Sequence, residues 1–173
     1  ANGIVGLDIR CRVRTSGLSN GVLVYKLNPA DGINLCSMTN NAVVRNNNLR
    51  NTGDDCIAIW PWLADCTGNT IAHNTVQAPD LANGIAIYAG DQNVVSDNHV
   101  MDIINNGSGI CLGSEFSTAK GYHGKTTVRG NLLERSGSWQ TDDQYPIGAL
   151  WIWSTWNPME AEFLVEDNTL KDC

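Results

Sequence analysis

Three aspartates stand where they could do acid and base chemistry. Asp31 precedes Gly32-Ile33-Asn34-Leu35, and Asp54-Asp55 precedes Cys56-Ile57-Ala58-Ile59. In the similar segments that follow, the position of Asp31 and Asp55 is taken by Asn83 and Ser108, so the four residues form one column. If the segments stack, Asp31 and Asp55 lie one layer apart, and their like charges raise at least one pKa and couple the two titrations. Asp54 comes one residue earlier than Asp55 and projects to another side. Crowding three carboxylates is unfavourable unless a substrate or cation compensates. Glycosidic bond hydrolysis needs one carboxyl to protonate the leaving oxygen and another to activate water or attack, and this trio can supply both. An Asp-Asp pair after Gly53 also suits a plain turn; the column with Asp31 tips the balance toward chemistry.

The elements that must position these residues follow from a repeat. A short apolar segment recurs from Gly32, Cys56, Gly84, Gly109 and, more loosely, Ala149, at intervals of 24, 28, 25 and 40 residues. Its apolar residues alternate with small or variable ones, as in a strand with one buried face. A second segment follows each of the first: Val44–Leu49, Ile71–Val76, Val95–Val100, Val128–Leu133 and Val165–Leu170. Asn47, Asn74, Asn98, Asn131 and Asn168 hold the same slot in each copy. Asparagine tolerates left-handed backbone and bonds neighbouring main chain, so stacked copies predict a ladder at a turn. Coils of this length leave no room for helices. The expected fold is all-β, a single-stranded right-handed parallel β-helix of the pectate-lyase-like kind, in which each coil buries its inner face against its neighbours. Residues 1–173 are read as one catalytic β-helix region, incomplete at both ends. Val22–Tyr25 is placed as a strand of the coil before Asp31. The longer last interval puts residues 114–125 and 136–146 outside the stack as loops, a common place for function.

Composition narrows the partners. With 173 residues and 42% apolar content, the chain can bury a core, and no apolar run is long enough for a membrane span. A net charge of −7 disfavours nucleic acid and anionic membranes. A neutral polysaccharide fits better. The six cysteines, Cys11, Cys36, Cys56, Cys66, Cys111 and Cys173, lack the paired spacing of zinc sites. Cys56 and Cys66 are placed either to form a disulfide or to pack in the core, and the spacing leaves both readings open. No cofactor is expected, although a structural calcium ion is compatible with the acidic residues.

Just past the first strand, Cys36, Trp60, Tyr88, Gly113 and Trp153 form a second column that alternation turns outward. Aromatic rings above an acidic cluster suit the apolar faces of sugars. Trp60 and Tyr88, then Trp151, Trp153 and Trp156, are the expected binding rings, with Asn34 and Asn83 beside the acids completing the set. His73 and His99 are read as surface residues, His123 as a loop residue within reach of the cleft, and Asp91 as a turn residue.

The motifs Asn28-Pro29-Ala30-Asp31-Gly32-Ile33-Asn34, Asn51-Thr52-Gly53-Asp54-Asp55-Cys56-Ile57-Ala58-Ile59-Trp60 and Ala82-Asn83-Gly84-Ile85-Ala86-Ile87-Tyr88 resemble glycoside hydrolase family 87, the α-1,3-glucanases and mycodextranases. The resemblance runs from about Val22 to Leu133. It implies a secreted β-helical catalytic module that is part of a larger multidomain chain, with Asp31, Asp54 and Asp55 in the catalytic positions and inversion of the anomeric centre. It further implies Asp54 as general acid, with Asp31 and Asp55 positioning and deprotonating water. Polygalacturonases of family 28 share the Asp-Gly-Ile and Gly-Asp-Asp-Cys elements. They carry Gly-His-Gly where this chain has Ala82-Asn83-Gly84, and an Arg-x-Lys that is missing here. Two further readings are a non-catalytic polysaccharide-binding β-helix and a calcium-dependent lyase. The lyase would need a strong base beside the acids, and none stands in the column.

Overall fold

A computed structural model describes residues 3–10, 14–19, 22–26, 29–114, 116–155 and 157–173. Its strands form three parallel walls wound as a β-helix. The first wall stacks Gly3–Val5, Val43–Arg45, Thr70–Ala72, Val94–Ser96, Lys125–Arg129 and Glu162–Glu166. The second stacks Asp8–Arg10, Asn48–Arg50, Thr75–Gln77, His99–Met101, Leu132–Glu134 and Thr169–Lys171. The third carries Ile33–Cys36, Ile57–Trp60, Ile85–Ile87, Ile110–Ser114 and Leu150–Ser154. No helix among the described residues is long and apolar enough to cross a membrane.

The expected register holds throughout the third wall, where Ile33, Ile57, Ile85 and Ile110 are successive partners. These isoleucines, with Leu35, Ile59, Ile87 and Leu112, face Val44, Ile71, Val95, Leu49, Val76 and Val100 in one continuous core. Small residues open the third-wall strands because the coils approach closely there. A Cβ at Gly84 would lie 2.7 Å from the Gly109 carbonyl oxygen, and one at Gly109 would lie 2.8 Å from that of Ala149.

The asparagine ladder is present at the corner between the first two walls. Asn74 receives both the N–H and the Nδ2 of Asn47 on its Oδ1, then donates in the same way to Asn98, which donates to Asn131, which donates to Asn168. The left-handed backbone that the sequence suggested for these asparagines belongs instead to the residue before each: Asn46, His73, Asp97, Gly130 and Asp167. That residue turns the chain, and the asparagine then bonds inward. A second, shorter ladder joins Asn69 to Asn93.

Two expectations are corrected, at Val22–Lys26 and at His123. Val22–Lys26 is not a strand of a preceding coil; it pairs antiparallel with Arg14–Ser19 as a hairpin. Two strands so close in sequence can pair only this way, because a parallel pair needs a long crossover. Of the two readings left open for Cys56 and Cys66, core packing holds: both are buried, with the Cys56 Sγ 3.2 Å from the Thr52 hydroxyl and the Cys66 Sγ 3.6 Å from the Leu35 carbonyl oxygen. His123 pairs with Asp65 at 3.1 Å and lines neither cleft described below. Cys11 and Trp156 lie outside the described residues.

Candidate active site

The register that builds the core also brings the three aspartates together on the outer side of the third wall. One carboxylate oxygen from each lies within 4.8 Å of the other two. Among the described residues, this is the single cluster of three or more acidic, histidine or cysteine side chains so assembled. It is much tighter than the 6.5–9.5 Å gap of an inverting acid and base with water between them, so the trio's spacing does not itself argue for inversion.

Each carboxylate has a different environment. Asp55 is buried, 3% exposed, and Asn83 bonds its Oδ1 twice, through its N–H at 2.8 Å and its Nδ2 at 2.9 Å. The Tyr88 hydroxyl donates to its Oδ2 at 2.6 Å. Burial pushes the Asp55 pKa up to about 7, against the lowering effect of the Tyr88 and Asn83 bonds, and the nearby charges of Asp31 and Asp54 push the same way as burial. Asp31 is half-buried and accepts Asn34 Nδ2 at 2.6 Å. Its pKa is raised, mainly by burial and also by the charge of Asp54, while Asn34 opposes the rise. Asp54 is half-buried and accepts the Asp55 N–H at 3.0 Å. Burial raises its pKa as well.

Two clefts meet at this cluster. The first, of about 340 Å³, is lined by Asp31, Asn34, Asp54, Asp55, Trp60, Tyr88 and Phe116, with Pro29 and Ala30 at its edge. The second, of about 270 Å³, lies over Asn83, Asn106, Cys111, Gln140, Tyr145, Trp151 and Trp153. Asp54, Tyr88 and Phe116 border both. All the described candidate residues therefore come to one face. Trp60 lies in the first cleft. Trp151 and Trp153, stacked at 4.6 Å with their planes 2° apart, lie in the second. Tyr88 is less open than its column suggested, since its ring is covered edge-on by Phe116 at 4.9 Å and its hydroxyl is engaged by Asp55. Asn83, placed among the binding residues by sequence, is buried, and its amide holds Asp55 and Ser108.

Several site residues escaped the sequence reading because they sit outside the repeat. Phe116 belongs to the loop after Ile110–Ser114. That loop is pinned by the Ala119 N–H to the Pro61 carbonyl at 2.9 Å, and by the buried Tyr122 hydroxyl to the Ile87 carbonyl. Trp62 stacks on Trp60 at 5.6 Å and is half exposed. Gln140 and Tyr145 come from a hairpin, Ser138–Gln140 paired with Tyr145–Ile147. For Phe116, Gln140 and Tyr145 the sequence signal available was the two long interruptions of the repeat, which marked the loops but not their side chains; Trp62 lies in neither.

A model of the family described as periplasmic copper-binding protein (NosD) matches residues 18–143. Among solved structures, the catalytic unit of a thermostable GH87 α-1,3-glucanase from Streptomyces thermodiastaticus strain HF3-3 is similar, with 38% identity and a TM-score of 0.79. The match covers 83% of this chain and 27% of that one, so the chain spans about a quarter of that relative's length. The resemblance drawn from the Asp-Gly-Ile-Asn and Gly-Asp-Asp motifs is borne out. No curated protein matches the chain. Among the described residues, the donors brought together do not match the copper in the family description. Three carboxylate oxygens are hard ligands, whereas copper sites draw on imidazole, thiolate and thioether.

Proposed function

The chain belongs to the NosD family, and on that β-helical frame we propose that it acts outside the cytoplasm as a glycoside hydrolase, cleaving α-1,3-glucan or a related neutral α-glucan with inversion. One observation carries the reading: of the three aspartates, Asp54 is the one that lines both clefts. A sugar chain laid along the groove has a ring in each cleft and its linking oxygen above Asp54. Burial raises the Asp54 pKa, as it does those of Asp31 and Asp55, so the acid role goes to Asp54 by its place at both clefts and by the resemblance to family 87, not by its pKa.

Asp31 and Asp55 then handle the water. A water held about 2.8 Å from each of two acceptors places those acceptors about 4.5 Å apart. Carboxylates within 4.8 Å of one another are suited to hold such a water between them. Inversion itself rests on the resemblance to family 87.

The substrate assignment rests on the lining. Among the described residues, no Lys or Arg lines either cleft, so a uronate would meet three carboxylates without a described cation to offset them. Trp60 in one cleft and the Trp151–Trp153 stack in the other offer apolar faces to neutral rings. NMR of the first product formed from α-1,3-glucan oligosaccharides tests the proposal. A β-anomer appearing first is the expected result. A first-formed α-anomer overturns inversion, and binding without any cleavage favours a non-catalytic binding module.

A further inference from the structure

Asp55 is held by more protein donors than a free-standing base would be. A carboxylate has about four acceptor sites. Asn83 uses two on Oδ1, at 2.8 and 2.9 Å, and the Tyr88 hydroxyl uses one on Oδ2 at 2.6 Å. Among the described residues one site is left, on Oδ2, and Asp55 lines the first cleft. The donors come from the next coil, so the carboxylate cannot rotate without breaking bonds made to a neighbouring layer. Tyr88 is itself fixed, because its ring packs on Phe116 and its oxygen receives Asn83 Nδ2 at 3.4 Å.

We propose that Tyr88 is a positioning residue, not a stacking platform: its hydroxyl, with Asn83, fixes the Asp55 carboxylate and aims the one remaining Oδ2 lone pair at the water. This rests on the hydrolase reading above. The titratable groups facing Asp55 are Asp31 from the preceding coil, Asp54 from its own turn and Tyr88 from the following coil. Both carboxylates oppose its ionisation, as does burial. Tyr88 supplies the strongest opposing interaction, ahead of Asn83. Without the hydroxyl, Asp55 takes up its proton at higher pH.

The test is Tyr88→Phe, which keeps the ring against Phe116, with thermal melting to show that the fold is intact. On α-1,3-glucan, kcat is expected to fall about 10- to 100-fold, the size of one hydrogen bond to a charged group, with KM little changed. The acidic limb of the kcat/KM profile should move to higher pH. A raised KM with an unmoved acidic limb would make Tyr88 a stacking residue and overturn the proposal. A second readout needs no substrate. Carboxyl ¹³C NMR should show the Asp55 midpoint moving upward in Tyr88→Phe, and an unmoved midpoint overturns the positioning role. If the parent protein cleaves no glucan, the hydrolase reading fails while the NMR titration still decides the coupling.

Discussion

Asn83 bonds one oxygen of Asp55 twice, through its N–H and its Nδ2, and in turn receives the N–H and hydroxyl of Ser108 on its own Oδ1. The same two-donor pattern joins Asn47 to Asn74 at the corner between the first two walls. Asp55 is therefore a rung in a structural stack as well as a member of the acidic cluster. Replacing an amide by a carboxylate at such a rung keeps the inward bonds and adds a buried charge.

That buried charge makes stability depend on pH. Asp55 titrates near 7 in the folded protein, above its ordinary 3.8, so the folded state binds the proton more tightly than the unfolded chain. Its stabilising contribution is full below about pH 4 and is lost as pH rises through about 7. Asp31 and Asp54 act in the same direction. Glu134, held down to about 2 by Lys171, Arg135 and His99, acts oppositely but only below its ordinary 4.5. The melting temperature should drop between pH 4 and 8 relative to Asp55→Asn, by up to about 10 °C. Parallel curves for the two proteins would mean that Asp55 carries no buried charge.

Asn74→Ala removes a rung from the middle of the long ladder. It strips the Asn47 N–H and Nδ2 of their acceptor and leaves the Val44 carbonyl without its side-chain donor. Orphaning buried polar groups at about 1–3 kcal/mol each should lower stability by about 2–5 kcal/mol, read as a melting temperature lower by on the order of 10 °C. A melting temperature unchanged from the parent would show that the ladder fills space without holding the coils.

The ladder and the aspartate column were legible in the sequence for the same reason. Residues that recur once per coil stack, so Asn47 and Asn74, or Asp31 and Asp55, could be aligned without knowing the fold. Phe116, Trp62 and Tyr145 were not legible because their positions depend on loop paths and have no repeat partner. Tyr88 was half legible. Its column predicted an outward ring, but its bond to Asp55 depends on the offset between one coil's turn and the next coil's strand end. The Arg14–Ser19 and Val22–Lys26 hairpin was hidden because a lone apolar alternation does not reveal which strand it pairs with.

Trp60 separates binding from chemistry. Its ring lines the first cleft and is backed by Trp62 and Phe116. Trp60→Ala should raise KM about tenfold or more through lost stacking, with a smaller change in kcat. Steady-state kinetics on soluble oligosaccharides checks this, and an unchanged KM would remove Trp60 from the substrate path.

The proposed chemistry is cleavage of neutral α-glucan by this acidic cluster, with Asp54 as the acid. Asp54→Asn is nearly isosteric and should lower kcat about 10²- to 10⁴-fold on glucan. A substrate with a good leaving group, which needs little protonation, should restore much of that loss. Asp31→Asn and Asp55→Asn should also be severe, and the same substrate should rescue them far less. The most direct measurement is reducing-sugar release from α-1,3-glucan and from polygalacturonate by the parent protein and by Asp54→Asn, side by side. Release from glucan only, and its loss in Asp54→Asn, is the expected result. Release from polygalacturonate in preference to glucan, or full activity in Asp54→Asn, would contradict it.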